Sequence, residues 1–103
     1  MIYEGNPPQG LNTLPECGDK TGFKSFIDSL NPEHTYLFKC THTAASEAGI
    51  ASLYGIMTVH IYSTQAAILI FQPLTASANI YKLSKYQGAW DSSWTQVQTT
   101  TVQ

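Results

Sequence analysis

Apolar positions recur at two spacings along the chain, helical near residue 25 and strand-like beyond residue 34. Phe23, Phe26, Ile27 and Leu30 fall at i, i+3, i+4 and i+7, one stripe of a 3.6-residue repeat, while Lys24, Ser25 and Asp28 take the other side. Asp19 or Thr21 can cap the start, since a short oxygen-bearing side chain accepts a first-turn amide that has no partner within the helix. Asn31-Pro32 ends it, because the residue before proline is pushed out of the α region. A helix over about residues 20–30 is predicted. Downstream, β-branched and aromatic residues concentrate in Thr35 to Thr41, Leu53 to Ser63, Ala66 to Phe71, Asn79 to Tyr86 and Trp94 to Thr101, which reads as five strands. In the second of these, Met57, Val59 and Ile61 alternate with Thr58, His60 and Tyr62, so one face is expected to be packed and the other wetter. The connectors Ser63-Thr64-Gln65 and Gln87-Gly88-Ala89 are too short for the crossover a parallel pair needs, and a hairpin fits them. The expected fold is therefore α+β, a small antiparallel β-sheet of about five strands with one packed α-helix.

Between these elements the chain is punctuated. Gly5 to Gly18 holds Pro7, Pro8, Pro15 and three glycines, so residues 1–18 read as an extended lead-in or linker, docked through Leu11 and Leu14, and residues 19–103 as the folded domain. Thr43 to Gly49 is a run of small and polar residues and reads as a loop, and Gly55 is placed at a bulge. Thr75 to Ala78 reads as a turn, and the Thr/Gln run from Gln98 to Gln103 as an edge strand or frayed tail.

Composition narrows the function more than the fold. A chain of 103 residues and 11.3 kDa, 43% hydrophobic, can bury one core. Its 12 Thr, 9 Ser and 7 Gln outnumber the 5 Lys and 7 Asp/Glu, so the surface is polar mainly through uncharged groups. Without Arg, and with a net charge of -2, it offers no basic footprint for phosphates, and nucleic acid is not an expected partner. The longest apolar run, Ala66 to Phe71, is far shorter than a bilayer span, so membrane insertion is not expected either. Met1-Ile2-Tyr3-Glu4 has neither the basic region nor the apolar run of a secretory signal, so export by the general route is not expected. Cys17 and Cys40 are too few for a disulfide scaffold and are not expected to be a required staple.

The residues that could carry chemistry each have a plainer explanation. Cys40 and His42 are spaced to share one face of a strand, but no second pair with metal-ligand spacing accompanies them, so no metal or other cofactor is expected. Cys40 reads better as a small core residue and His42 as a polar group at a loop edge. Twenty-one Ser and Thr hydroxyls with three histidines make chance pairings easy, yet no nucleophile elbow, zinc-protease pair or phosphate loop occurs, and the chain is read as non-enzymatic. The aromatic residues are more informative. Tyr62, Tyr81, Tyr86, Trp90 and Trp94 are spread over the last strands and turns, where rings beside amides and hydroxyls suit sugars and equally suit cross-strand packing. Trp94, followed by Val97 on an apolar strand, is expected to be a buried pin. Trp90, with Tyr86, Gln87 and Asp91, is the candidate ligand-binding set.

The stretch Asn79-Ile-Tyr-Lys-Leu-Ser-Lys-Tyr-Gln-Gly-Ala-Trp-Asp-Ser-Ser-Trp-Thr-Gln-Val97 resembles the ending of the pyocin-knob family, small domains in the tail fibres of R-type pyocins and many phages. That family's last hairpin reads as Ile-Tyr, a short strand, Gly, then Trp-Ser-Ser-Trp and an apolar residue. The helix, Tyr36-Leu-Phe, the Ile56 to Tyr62 strand and the Ala67 to Phe71 strand come in a similar order, so the likeness covers Leu11 to Val97. Asp91 adds a residue between the tryptophans, and Thr43-Ala-Ala-Ser-Glu-Ala-Gly49 stands where the family carries Asn-Ala-Pro. The resemblance implies a knob-like α+β domain on a phage tail or pyocin-like particle, acting at the bacterial cell surface. It implies no catalytic residues, and it makes Gly88 and Trp94 structural members of the motif. The leading function is a tail-fibre or baseplate module for host-surface attachment, with a bacterial surface polysaccharide or other fibre and baseplate proteins as partners. The alternatives are a structural spacer or trimerisation knob, in which a homotrimer would bury Ile50, Leu53 or Leu74, and a carbohydrate-binding or capsid decoration module.

Overall fold

A computed structural model describes residues 11–75 and 79–97. Nine elements follow one another: β1 (Asn12–Thr13), α1 (Lys20–Asp28), β2 (His34–Cys40), α2 (His42–Ala48), β3 (Gly55–Ser63), β4 (Ala66–Pro73), β5 (Ile80–Tyr86), β6 (Ala89–Trp90) and β7 (Thr95–Val97). The strands make one sheet in the order β1-β2-β3-β4-β5, with β6 and β7 both paired to β5. Every pair is antiparallel except β1 with β2, which is parallel. The α+β class stands, but the sheet is mixed and has seven strands rather than about five. The additions are short pieces: β1, contributed by the lead-in, and β6, which pairs with β5 ahead of β7.

The helix α1 has the predicted stripe. The Asp19 carboxylate accepts the Gly22 amide at 2.8 Å, Phe23 and Ile27 are buried, and Phe26 and Leu30 pack half-buried against the same core. A second helix replaces the loop expected at Thr43 to Gly49. Thr41 Oγ1 accepts the Ala44 amide at 3.2 Å, and Gly49 closes the other end at φ 98°, a left-handed conformation that glycine adopts without Cβ strain. Ala44, Ala45 and Ala48 are buried, so the small residues that suggested a loop are what bring α2 close to the core.

The helices and the buried side chains of the sheet share one core, which takes Phe38 and Cys40 from β2, Met57, Val59 and Ile61 from β3, and Leu69 and Phe71 from β4. Leu14 joins it, and its amide donates to Lys39 O at 2.9 Å, so the lead-in docks through Leu14, whereas Leu11, the other expected anchor, is exposed. The alternate positions, among them Leu37, His60, Ile68, Ser84 and Tyr86, lie on the opposite face, which no described element covers. Gly55 is not at a bulge but pairs regularly with Cys40 and Pro73, and the register shifts instead at Tyr62, between Ile61 and Ser63. Ile50 is buried inside its own chain, which removes it from any surface between copies, whereas Leu74 is exposed and Leu53 half-buried. The expectations for residues 1–10, for residues 76–78 of the predicted turn and for the run from Gln98 to Gln103 lie outside the described residues.

Both cysteines are free thiols. Burial pushes Cys40 from its ordinary 9.0 up to about 12, and Cys17 is raised by burial and by the neighbouring Glu47 carboxylate. In the unfolded chain Cys40 loses its proton near pH 9, while the folded chain holds it to about 12. Its contribution is therefore complete below pH 9 and declines as pH rises through that window, by about 1.4 kcal/mol per pH unit. Denaturant titrations from pH 8 to 11 are expected to show a fall in stability that is shallower in Cys40→Ala. Equal slopes in the two proteins would show that the thiol does not titrate as its burial requires.

Candidate functional site

The hairpin after β5 is set by its turn. Gln87 and Gly88 both have positive φ, 53° and 80°, the conformation that joins two strands through a two-residue loop whose twist matches theirs. Lys85 then pairs with Trp90 and Tyr86 with Ala89, so Trp90 shares the helix-covered face with Lys85, and Tyr86 projects from the other. Trp90 packs half-buried against the core, with Nε1 3.5 Å from Asp28 Oδ2 and its ring centroid 5.8 Å from Lys85 Nζ. The same ammonium bonds Asp28 Oδ1 at 2.8 Å and Thr64 O at 3.1 Å, which ties the end of α1 to the β3–β4 turn.

Asp91 is occupied with structure. Its amide donates to Ser84 O at 2.9 Å, its carboxylate accepts the Ser84 amide at 3.0 Å, and its carbonyl accepts Lys24 Nζ at 3.2 Å. The carboxylate thus stands in for a ladder partner where the chain steps away from β5 between β6 and β7. That step carries Trp94 towards the helices, where Nε1 donates to Ala48 O at 2.9 Å and the ring centroid lies 6.2 Å from that of Phe23. Tyr86, Gln87, Trp90 and Asp91 are consequently not brought together on one surface. Tyr86 faces outward across the sheet from Trp90, Gln87 shapes the turn, and Asp91 is spent on Ser84 and Lys24.

An open concavity lies elsewhere, at the end of the sheet where β2 starts and β3 finishes. This open groove, of about 660 Å³, is lined by Glu33, His34, Thr35, His60, Ile61, Tyr62, Ser63 and Ile68. Pairing of His34 with Ile61 and of Thr35 with His60 brings the segment before β2 against the end of β3. Glu33 sits at φ 61°, a region costly for a residue with a Cβ, and its amide is held by Ile61 O at 2.6 Å. His34 Nδ1 lies 2.8 Å from Pro32 O, and because a carbonyl only accepts, Nδ1 is the donor in that bond. His60 Nδ1 lies 3.3 Å from Thr35 Oγ1. The bulge at Tyr62 leaves its side chain 79% exposed at the rim. The groove thus offers an aromatic ring, the aliphatic Ile68, two imidazoles, two hydroxyls and one carboxylate.

Strand alternation in the sequence had already put His60 and Tyr62 on the wetter face. Glu33 and His34 were not legible as their neighbours, because only the β2–β3 register places them there. Cys40 and His42 do not share a strand face: Cys40 ends β2 in the core, and His42 opens α2 with Nδ1 3.4 Å from Ser52 Oγ. Among the described residues no group of three or more His, Cys, Asp or Glu converges as metal ligands. No family model, curated protein or solved structure matches this chain.

Proposed function

We propose that this chain is a non-enzymatic module of a phage or pyocin tail fibre or baseplate, and that it contacts a bacterial-surface glycan through the groove at Tyr62. The fibre context is supported by the resemblance of the Asn79 to Val97 ending to pyocin knobs. The observation that carries the glycan assignment is the lining of the groove. A ring and an aliphatic side chain stand beside Thr35, Ser63, His34 and His60, groups that trade hydrogen bonds with sugar hydroxyls while a C–H face of the sugar stacks on the ring. A nearly uncharged lining suits a neutral polysaccharide better than a phosphate-rich one.

Binding to immobilised lipopolysaccharide O-chains and capsular polysaccharides from a panel of strains tests this. Tyr62→Ala is expected to weaken binding about tenfold, the effect of truncating one good aromatic contact. Its melting temperature is expected to stay at the parent value, because the ring is mostly solvated. Trp90→Ala, which alters the far face, is expected to bind as the parent does. No binding to any surface in the panel, or parent-like binding by Tyr62→Ala, would overturn the assignment. A trimerisation knob is the second reading, and the apolar Leu37, Ile68 and Val97 on the uncovered sheet face favour it. Sedimentation equilibrium separates the two, since that reading requires self-association and the glycan reading does not.

A further inference from the structure

Beyond the groove at Tyr62 the same sheet face continues across β4 to β5. β4 runs between β3 and β5, with Ser63 paired to Ala66 and Ala67 paired to Lys85. One further step in the second register sets Ala66 beside Tyr86, and the Gly88 amide bonding Gln65 O at 2.9 Å shows the two turns meeting just beyond. On its other side Ala66 pairs with Ser63, and Tyr62 is the unpaired bulge residue next to Ser63. The two tyrosines therefore stand on either side of the start of β4, on strands two interstrand spacings apart, or about 10 Å. Both are solvated, at 79% and 71% exposure, far above the usual burial of a strand tyrosine. In the next row His60 pairs across the sheet from Thr35 and from Ile68, and Ile68 pairs with Ser84.

We propose that Tyr62 and Tyr86 are two stacking platforms of one saccharide track running across β3, β4 and β5, and that its ligand is a linear, uncharged oligosaccharide. The proposal rests on the glycan reading above and extends it from a groove to a chain of sugar residues. Two exposed rings on strands about 10 Å apart can each stack on a different sugar of one extended chain. Charge selects against other occupants. Tyr62, Ala66, Tyr86, Ile68, Ser84 and His60 include no lysine and no carboxylate, and the flanking charges, Glu33 in the groove and Lys82 two residues from Ser84 on the same face of β5, are one of each sign. An anionic polymer would find no net positive charge on this patch, whereas a neutral one needs none.

Neutral O-chains released from lipopolysaccharide by mild acid, then partly depolymerised and separated into disaccharide and hexasaccharide fractions, provide the probe. Calorimetric titration of the parent is expected to give about tenfold tighter binding for the hexasaccharide. Tyr86→Ala is expected to abolish that gain and leave the disaccharide affinity unchanged, while Tyr62→Ala weakens both. Backbone amide shifts at Ala66 and Ser84 in the unmodified protein, moved by the hexasaccharide and not by the disaccharide, would support the track without any variant. Parent-like length dependence in Tyr86→Ala, with no shift at Ala66, would overturn the track and leave the groove assignment standing. Failure of both fractions to bind the parent would overturn both.

Discussion

Phe23→Ala is expected to destabilise the fold by about 3 to 5 kcal/mol, the range for truncating a buried phenylalanine whose site cannot collapse. Phe23 is 1% exposed on the apolar stripe of α1, and its ring faces Trp94, 6.2 Å away centroid to centroid. Trp94→Ala is expected to cost about 3 kcal/mol or more, because it removes a half-buried ring together with the indole bond to Ala48 O. The two side chains touch, so the double variant should fall short of the sum of the single effects. Phe26 lies on the same stripe but is only half-buried, edge-on to Phe38 at 5.7 Å, and Phe26→Ala should cost less than Phe23→Ala. Urea unfolding of the four proteins measures this directly. Equal losses at Phe23 and Phe26 would mean that the stripe is not buried asymmetrically, and full additivity of Phe23 with Trp94 would mean that the last hairpin is not pinned through that contact.

This pin shows what the sequence could and could not reveal. Trp94 was expected to be the buried pin and Trp90 to stay open to a ligand, whereas both rings pack half-buried against the core. Nothing local indicated that Asp91 would take over the Ser84 amide, because that exchange exists only once β5 and β6 are paired. The α1 stripe, its Asp19 cap and the alternation in β3 were legible because they are periodic signals confined to one element. The helix at His42–Ala48 was not: its alanines give weak hydrophobic contrast, and its Thr41 and Gly49 caps look like loop residues until the intervening turns form. The parallel β1 strand was hidden for a related reason, since two residues carry no period and are held in place by pairing with β2 and by the burial of Leu14. The same limit applied to the groove, where Tyr62 and His60 were visible by alternation while Glu33 and His34 arrive through register.

Gly55 puts that distinction between local and tertiary signals to a sharper test. On local grounds Gly55→Ala should stabilise a strand by about 0.5 to 1 kcal/mol, because alanine loses less backbone freedom on folding. The packing predicts the opposite. A Cβ at this position would lie 2.5 Å from Gln72 O and 2.6 Å from the Phe71 ring. Gln72 O belongs to the neighbouring strand, where Gly55 pairs with Pro73 and Ile56 with Gln72, so moving it disturbs the sheet. The Phe71 ring is fully buried and packs beside Tyr81 at 6.3 Å, so it cannot swing out to solvent. Neither obstacle is the free end of a flexible side chain, and overpacking of such a site costs about 3 kcal/mol, several times the local gain. Gly55→Ala is therefore expected to lower the denaturation midpoint with little change in its denaturant dependence. Phe71→Leu, made in the same background, should recover part of the loss by removing the ring while the carbonyl clash persists. A Gly55→Ala protein as stable as the parent would mean that β3 and β4 are free to separate at this end, and the Cys40–Gly55–Pro73 row would then be no fixed part of the core.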